Sequence, residues 1–236
     1  MQKTAVMIEE IKKKLFQEIE EEKIKTKSRR IYCDINPIDF AKLFQREAEL
    51  IMLKQNNTNK FEPSTVKPIL NQLYYYTIQD AERFNGSFDK GIYLEGNIGV
   101  GKTLIMTAYC NLLVRLKVKA KIYIQHSKSI IRDITQHPEL IDETGNIFIK
   151  EKPVLGYAGR IMMIDDLGKE PALVNNYGTQ TAPMEEIIVA RYNNRTLTFA
   201  TGNIKFDEFE MVYTKSVHER MKELFNVMVL TGKSKR

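Results

Sequence analysis

Apolar residues recur at helical spacing in the first third of the chain and form short continuous runs in the remainder. The first periodic stripe consists of Ile8, Ile11, Leu15 and Ile19. Its spacing of three or four residues predicts one helix over residues ~5 to 27, supported by Glu and Lys side chains four positions apart. Because the stripe is narrow, it favours a solvated helix that docks on a partner over a helix that binds a membrane.

Two further helices are predicted before the first glycine-rich segment. Asn36 and Pro37 supply an N-cap and a first-turn proline for a helix over residues ~37 to 54. The polar residues 55–60 predict a loop or linker. A third helix is predicted over residues ~64 to 83, ending near Asn85-Gly86 as a C-cap. We therefore expect a small helical N-terminal region over residues 1–60 and a main domain over residues 61–236.

From Gly91 onward, short apolar runs alternate with helical patterns. Strands are predicted at residues 91–95, 121–125, 160–165, 197–201 and 227–230, with a further short strand at 147–149. Helices are predicted at residues 104–113 and 127–136. The run at 161–164 has no polar alternation, which is typical of a strand buried on both faces. Five strands interleaved with helices predict an α/β fold, with a mostly parallel sheet and helices on both faces.

A glycine-rich segment joins the first of these strands to its helix and has the form GxxxxGKT. Its candidate phosphate-binding residues are Gly96, Asn97, Ile98, Gly99, Val100, Gly101, Lys102, Thr103 and Leu104. Backbone N–H groups and the positive end of the helix dipole would face an anion there. Lys102 would reach the β- and γ-phosphates, and the Thr103 hydroxyl would ligate Mg²⁺. The alternative is a chance glycine turn, but the flanking strand and helix favour a nucleoside triphosphate site.

Two carboxylates, Asp165 and Asp166, close the apolar run at 161–164. In a parallel α/β sheet, a carboxylate at the end of a buried strand lies beside the phosphate loop. We expect Asp165 to hold Mg²⁺ and Asp166 to orient the attacking water. A strand-end turn is the alternative, which the preceding GxxxxGKT strand makes less favourable.

Asn203 and Arg220 are two further candidates for catalysis. Asn203 follows the fourth strand, where a polar side chain would face the γ-phosphate and help to place water. Residues 203–207 are similar to the guanine-reading motif but contain one residue too many, so GTP specificity is not supported. Arg220 lies on a predicted helix before the fifth strand, from which it would enter the nucleotide site of a neighbouring subunit. A solvated arginine is the alternative, and the sequence by itself favours it.

Composition narrows the class of protein. The chain has 236 residues, of which 43% are hydrophobic and 28% charged, and it contains no apolar run of the ~20 residues that span a bilayer. No signal-peptide core is present, and Cys33 and Cys110 match no metal or redox spacing. We therefore expect a cytoplasmic protein with no membrane partner. The net charge of +6 allows a nucleic acid partner without requiring one.

The order of the segments GNIGVGKT, IMMIDDLGKE, TFATGN, HERMKELF and VMVLTGKSKR resembles the DnaC/DnaI/IstB branch of AAA+ ATPases. The resemblance covers roughly residues 68 to 236, and Asp166 in place of the more usual Glu is characteristic of that branch. It implies an Mg²⁺-dependent ATPase, with Asn203 as the sensor-one residue and Arg220 as the arginine finger. It also implies a fold without a C-terminal helical lid. The lid-borne sensor-two arginine has no evident counterpart.

Three functions remain open at this level. The first is a helicase loader that hydrolyses ATP, binds a replicative helicase through residues 1–60, self-associates through its nucleotide site and contacts single-stranded DNA near Lys128 and Arg132. The second is an IstB-like transposition ATPase acting on duplex DNA. The third is a nucleotide-dependent scaffold with negligible turnover, which Lys102 and the Asp165-Asp166 pair argue against. The sequence does not separate the first two.

Overall fold

The computed structural model describes residues 11–21, 23, 30–141, 147–149, 152–154, 156–176 and 179–232. Residues 11–21 are helical and form helix α1, whose predicted ends at residues 5 and 27 lie outside the described residues, as does Ile8. The remaining helices are α2 (Pro37–Lys54), α3 (Lys67–Ile78), α4 (Lys102–Arg115), α5 (Ser127–Gln136), α6 (Pro183–Asn193) and α7 (Lys215–Leu224). The described apolar stripe of α1 is exposed: its members are Ile11, Leu15 and Ile19.

The strands fall into one large sheet and two hairpins. They are β1 (Gly91–Gly96), β2 (Tyr123–His126), β3 (Ile147–Ile149), β4 (Lys152–Val154), β5 (Met162–Asp165), β6 (Val174–Asn176), β7 (Thr179–Thr181), β8 (Thr198–Gly202) and β9 (Phe225–Leu230). The large sheet is parallel and has the order β2-β5-β8-β1-β9. The predicted parallel sheet of five strands is confirmed. The strand at 147–149 is also present, paired with β4, whereas the β6-β7 hairpin and α6 had no sequence prediction.

Two hydrophobic layers cover the sheet, one on each face. Neighbouring residues of β5 point to opposite layers: Met163 joins the layer that contains α2, α3 and α4, and Met162 joins the layer that contains α5, α6 and α7. Burial of both faces explains why the run at 161–164 shows no polar alternation. The central strands therefore hold their carboxyl ends at one rigid edge of the sheet, which is where the candidate residues lie.

Helix α2 has the predicted bounds and packs directly on α4, the helix that follows the glycine-rich loop. The Asn36 side chain accepts a hydrogen bond from the Asp39 backbone N–H at 2.9 Å, which fixes the start of the helix. Phe44 is fully buried in the same layer as α4, and Glu47 pairs with Arg115 of α4. Helix α2 thus forms one wall of the region around the loop.

The end of α3 differs from the prediction. The helix ends at Ile78, and Gln79 takes a left-handed conformation with φ 56°. The Asp80 carboxylate then accepts hydrogen bonds from two following backbone N–H groups, which starts a separate turn. Gly86 is not the predicted C-cap: it lies against the Asn226 side chain, which a Cβ atom would overlap. The predicted end at residue 83 is therefore wrong, because a local side-chain turn competes with the helix.

Candidate functional site

The glycine-rich loop connects β1 to α4 in the predicted way, so that Lys102 is the first residue of the helix. Gly101 precedes it with φ 101°, a conformation that favours glycine. Gly96 has φ 156°, and a Cβ atom there would meet the Leu230 carbonyl oxygen of the adjacent strand. The loop therefore requires glycine at these two positions, and it presents the N-terminus of α4 to the cavity beside it.

The Lys102 ammonium group lies inside the loop and is nearly buried. Its Nζ donates hydrogen bonds to Gly96 O at 2.8 Å, to Asn97 O at 2.9 Å and to Asn203 Oδ1 at 2.6 Å. These three acceptors are neutral, so anionic phosphate oxygens would form stronger hydrogen bonds with the same donors. The structure thus brings the predicted Lys102 and Asn203 into direct contact across β1 and β8.

A carboxylate and two hydroxyl groups meet next to Lys102. Thr103 Oγ1 donates to Asp165 Oδ1 at 2.7 Å, and Thr201 Oγ1 donates to the same oxygen at 2.6 Å. Thr201 had no sequence prediction, although it belongs to the same strand end as Asn203. Thr103 and Asp165 are the predicted metal ligands, and both line the cavity beside the loop.

This donor set fits Mg²⁺ together with a nucleotide. Mg²⁺ takes hard oxygen ligands and is commonly bound by one or two protein groups plus substrate phosphates and waters. Among the described residues, no group of three or more His, Cys, Asp or Glu side chains could hold a metal ion by itself. The Asp165 carboxylate and the Thr103 hydroxyl would therefore complete a metal site whose other ligands come from phosphate and water.

Asp166 occupies a strained turn directly after β5. Its φ of 58° is left-handed, and its backbone is held by Thr201 Oγ1, which accepts from Asp166 N–H at 3.1 Å, and by Ser127 Oγ, which donates to Asp166 O at 2.9 Å. Such backbone strain is maintained only where the surroundings fix it. The Asp166 carboxylate is therefore directed by contacts from β8 and α5 as well as by its own strand.

Two side chains that the sequence did not predict face the Asp166 carboxylate. Lys169 Nζ lies 2.9 Å from Asp166 Oδ2, and His126 Nε2 lies 3.4 Å from the same oxygen. His126 Nδ1 accepts a hydrogen bond from the Lys128 backbone N–H at 3.2 Å, so the neutral ring carries its proton on Nε2, toward Asp166. The positions of His126 at the end of β2 and of Lys169 after the IDDLG segment were the available signals, since neighbouring parallel strands end at one edge.

A cavity of about 490 Å³ gathers most of the predicted residues. Those that line it are Ile98, Gly99, Gly101, Lys102, Thr103, Leu104, Asp165, Asp166 and Asn203. His126 and Lys169 also line it, as do Ile51 of α2 and Gln55, the residue directly after α2. Gly96 and Asn97 contribute through their carbonyl groups, which hold Lys102 in place.

A second cavity of about 300 Å³ adjoins the first and shares Gly101 and Leu104 with it. Its apolar lining is Met52, Phe61, Val66, Val100, Leu104 and Ile105. Polar and charged side chains also line it: Asn57, Asn59 and Lys60 belong to the predicted loop or linker, and Glu62 and Thr65 follow it. A nucleotide base is a flat, mostly apolar ring with polar edges, and it matches the lining of the second cavity. The two cavities together therefore suit a nucleotide, with the phosphates in the first and the base in the second.

Two carboxylates, the buried Glu170 and the partly buried Glu95, brace the segments that follow β5 and β8. Glu170 accepts a hydrogen bond from Gly168 N–H at 2.9 Å and one from the Tyr213 hydroxyl. Burial, with the Glu170 charge nearby, raises the pKa of Tyr213, so this hydroxyl stays protonated and donates. Glu95 accepts from Phe206 N–H at 2.7 Å and so anchors the segment after Asn203. These contacts fix the loops that carry the candidate residues.

Arg220 lies on α7, as predicted, and outside both cavities of its own chain. Its Nη1 donates to Ser216 O at 3.0 Å and to the Ser216 hydroxyl, and its guanidinium carbon lies 5.7 Å from the centre of the Tyr192 ring. The structure therefore does not bring Arg220 together with the other candidates. A role in a neighbouring subunit's site stays a prediction.

Comparisons with known proteins place the fold. No protein-family model matches the chain, and no curated protein matches its sequence. The crystal structure of the DnaC helicase loader is similar over 74% of this chain and 94% of that chain, with 20% identity and a TM-score of 0.52. A proposed primosome component from Streptococcus pyogenes serotype M3 is 22% identical over 72% of this chain and 81% of its own, with a TM-score of 0.48. The structure of DnaI is 25% identical over 72% of this chain and 84% of its own, with a TM-score of 0.45.

The similarity to the DnaC structure shows a shared fold, with a parallel sheet of five strands covered by helices on both faces. None of the helices in the described part of the chain is both long and apolar enough to cross a membrane. The protein therefore has the fold of the DnaC helicase loader, with a glycine-rich loop and two strand-end aspartates at the carboxyl edge of its sheet.

Proposed function

We propose that this chain is an ATPase of the AAA+ class that loads a replicative helicase onto single-stranded DNA. The observation that carries the nucleotide part is the contact of Lys102 with Asn203 beside the Thr103–Asp165 pair. These four groups lie at the carboxyl ends of three strands, β1, β5 and β8. Each would have a different role in binding a triphosphate. The DnaC fold and the resemblance of the motifs support the helicase-loading part.

In the proposed reaction, the triphosphate lies along the glycine-rich loop and the base enters the second cavity. Lys102 would exchange its neutral acceptors for β- and γ-phosphate oxygens, and Asn203 would remain close to the γ-phosphate. Bound Mg²⁺ would neutralise the phosphate charge that develops during transfer. Asp166 would orient the attacking water by accepting a hydrogen bond from it, and Arg220 of an adjacent copy would complete the site.

The nucleotide is proposed to be ATP. The lining of the second cavity is mostly apolar, and its polar and charged side chains come from Asn57, Asn59, Lys60, Glu62 and Thr65. Amide groups can both donate and accept, as the adenine edge requires. The segment after Asn203 is bound to Glu95 through Phe206 N–H and does not have the spacing of a guanine-reading motif.

The helicase partner is proposed to bind through the N-terminal region, residues 1–60. Helix α2 contributes to the layer that supports the loop, so we place the contact with the helicase on α1. Its exposed apolar side chains are Ile11, Leu15, Phe16 and Ile19. An amphipathic helix of this kind suits docking in a groove of a partner protein.

A matched pair of variants tests the docking. Leu15→Glu places a charge in the apolar stripe, whereas Gln17→Glu places the same charge on the opposite side of α1, since two residues turn a helix by about 200°. Affinity for the replicative helicase of the same host should fall at least tenfold in Leu15→Glu and remain near wild type in Gln17→Glu. If an equilibrium binding assay gives Leu15→Glu and Gln17→Glu equal affinity for the helicase, the interface with the helicase does not include the apolar stripe of α1.

A strand-selection experiment separates the loader from the IstB-like transposition ATPase. The loader should deliver the helicase to a single-stranded circle with ATP, and unwinding from that circle should require the protein. The alternative predicts a preference for duplex DNA and no effect on the helicase. A preference for duplex DNA together with no helicase binding would reject the loader.

A further inference from the structure

The guanidinium group of Arg220 on α7 is anchored at one of its terminal nitrogens and accessible at the other. Its Nη1 donates to the Ser216 carbonyl oxygen at 3.0 Å and to the Ser216 hydroxyl. Its Nε is buried and has no hydrogen-bond partner among the described residues. Its Nη2 is accessible to solvent and donates to no residue in the described part of the chain. The group therefore keeps its Nη2 donors available to a partner outside the chain.

The ring of Tyr192 on α6 supports the same guanidinium group. The Arg220 guanidinium carbon lies 5.7 Å from the centre of this ring, within the range of a cation–π contact. The ring is partly buried and packs against the hydrophobic layer that contains α6 and α7. Because Ser216 and Tyr192 both belong to packed helices, the guanidinium group is held more precisely than a loop would hold it.

The acidic neighbours of Arg220 on α7 are bound to other side chains. Glu223 is three residues after Arg220, a spacing at which the two side chains of a helix can form an ion pair. It instead accepts hydrogen bonds from the Tyr192 hydroxyl at 3.2 and 3.3 Å and from Arg195 Nη1 at 3.3 Å. Glu219 is likewise bound by a lysine. Arg220 forms no ion pair with a carboxylate in the described part of the chain, so its charge is available to an anion.

We propose that Ser216 and Tyr192 are positioning residues for Arg220, which hold its guanidinium group so that Nη2 meets the γ-phosphate in a neighbouring subunit. Tyr192 has a second role, because its hydroxyl keeps Glu223 from pairing with Arg220. Neither positioning residue touches the nucleotide. A guanidinium group that is fixed in advance stabilises the developing phosphate charge with little reorganisation. This inference rests on the proposed function, since it names the residues that make Arg220 effective there.

A purely structural role is the alternative for these contacts. Tyr192 and Ser216 would then stabilise the packing of α6 on α7, and their loss would harm any subunit that carries the change. Positioning makes a different prediction, because Arg220 acts in one subunit on a nucleotide held by another. Only the subunit that supplies the arginine should then need Tyr192 and Ser216.

A mixed assembly separates the two roles. One subunit carries Arg220→Ala and keeps an intact nucleotide site, and the other carries Lys102→Ala and supplies the arginine. Adding Tyr192→Leu to the Lys102→Ala subunit should lower the recovered hydrolysis about threefold to fivefold, as expected for the loss of one cation–π contact. Adding it to the Arg220→Ala subunit should leave the recovery unchanged. Equal losses in the two placements would overturn the inference and leave the role of Arg220 intact.

Ser216→Ala should show the same dependence on the subunit that carries it. The expected loss is about threefold, since the carbonyl oxygen of residue 216 still accepts from Arg220. Rates are compared at saturating ATP and saturating protein, and co-assembly is followed by sedimentation. The affinity for ATP, co-assembly and thermal unfolding should stay near wild type in the Tyr192 and Ser216 variants. A loss of co-assembly large enough to explain the lost rate would make both residues structural and overturn the inference.

The role of the Tyr192 hydroxyl is tested by a rescue. Tyr192→Phe keeps the ring but releases Glu223, so hydrolysis by the assembled enzyme should fall about twofold. Glu223→Gln cannot form an ion pair with Arg220, so adding it to Tyr192→Phe should restore the rate. A Tyr192→Phe rate that Glu223→Gln does not restore would reject this second role. If the Arg220→Ala and Lys102→Ala subunits co-assemble and recover no hydrolysis at any ratio, Arg220 does not act in trans, and its proposed role is rejected together with this inference.

Discussion

Strand β8 carries a buried threonine at each end, and the two side chains have different kinds of partner. Thr198 Oγ1, at the amino end, accepts from Arg191 Nε at 2.9 Å and donates to Thr196 O at 2.8 Å. Thr201 Oγ1, at the carboxyl end, accepts from Asp166 N–H at 3.1 Å and donates to Asp165 Oδ1 at 2.6 Å. Thr198 joins a network made mostly of backbone groups, whereas Thr201 holds the Asp165 carboxylate and the Asp166 backbone beside a cavity.

The amino end of the sheet is closed by side chains that satisfy backbone groups. Arg191 is fully buried and donates to the carbonyl oxygens of Tyr157, Arg160 and Leu197. Burial lowers the pKa of Arg191 to about 9. Asn226 similarly accepts from Ser87 N–H at 2.8 Å and donates to Ser87 O at 2.8 Å. These hydrogen bonds of the Arg191 and Asn226 side chains therefore all go to backbone groups.

At the carboxyl end the polar side chains also bind one another. Lys102, Asn203, Thr103 and Asp165 form short contacts beside a cavity, and each contact can be exchanged for one to a nucleotide or a metal ion. The comparison teaches that burial and hydrogen bonding alone do not mark a functional residue. What distinguishes the carboxyl end is that its polar groups can exchange partners at a surface open to a ligand.

Lys102→Ala is expected to have the largest effect on activity. The ammonium group is the charge that faces the β- and γ-phosphates, and its loss should reduce hydrolysis by about 10³-fold or more and weaken nucleotide affinity. Thermal unfolding of the variant without nucleotide should stay close to wild type, since the oxygen atoms left without the Lys102 donor lie near the cavity. A Lys102→Ala protein that hydrolyses ATP at the wild-type rate would contradict the assignment of the carboxyl end of the sheet as the nucleotide site.

Arg220→Ala should reduce hydrolysis by about 10³-fold in the assembled enzyme while leaving ATP affinity nearly unchanged. A mixture of Arg220→Ala and Lys102→Ala, each inactive alone, should recover partial activity. Recovery is expected because the Lys102→Ala subunit lends its arginine to an intact nucleotide site. If co-assembly is demonstrated and no mixing ratio restores turnover, Arg220 is a surface residue held by Ser216 and Tyr192.

Arg191→Leu tests the amino end. Removing the guanidinium group leaves several buried oxygen atoms without donors, so the free energy of unfolding should fall by about 3 kcal/mol. Arg195→Leu is the matched control: its exposed ion pair with Glu223 should contribute less than about 1 kcal/mol. Urea unfolding measures both. Nucleotide affinity of the folded Arg191→Leu protein should match wild type. A large loss of affinity in this variant would mean that the amino end of the sheet also supports the nucleotide site.

The two threonines give the smallest and most specific contrast. Thr201→Val removes a hydroxyl that orients Asp165, so the Mg²⁺ concentration for half-maximal nucleotide binding should rise about tenfold. Thr198→Val should leave the Mg²⁺ requirement unchanged and lower the free energy of unfolding by about 1 to 2 kcal/mol. The result is read from Mg²⁺ titrations and urea unfolding of both variants. Equal shifts in Mg²⁺ requirement would mean that Asp165 is not positioned by Thr201.

The sequence predicted those features that depend on local patterns. The glycine-rich loop, α2 from Pro37 to Lys54 and the five parallel strands follow from spacing, capping and apolar runs, and the structure has them at nearly the predicted bounds. Because β1, β5 and β8 are adjacent and parallel, the contact of Lys102 with Asn203 and of Thr103 with Asp165 could be expected as well.

The contacts made across elements could not be predicted. His126 and Lys169 reach Asp166 only because β2 lies beside β5 and the turn after β5 is left-handed. The wall formed by Met52 and Phe61 depends on how α2 packs on α4, which no local signal specifies. The end of α3 was missed because the Asp80 side chain starts a turn that helical periodicity does not reveal.

Equilibrium titration of the wild-type protein with a fluorescent ATP analogue tests the central claim most directly. The account predicts saturable binding of one analogue per chain, with higher affinity in Mg²⁺ than in EDTA. The same titration should show weaker binding in Lys102→Ala and unchanged binding in Thr198→Val. A folded wild-type protein that binds no analogue, or a Lys102→Ala protein that binds it as tightly as wild type, would contradict the assignment of the carboxyl end as a nucleotide site.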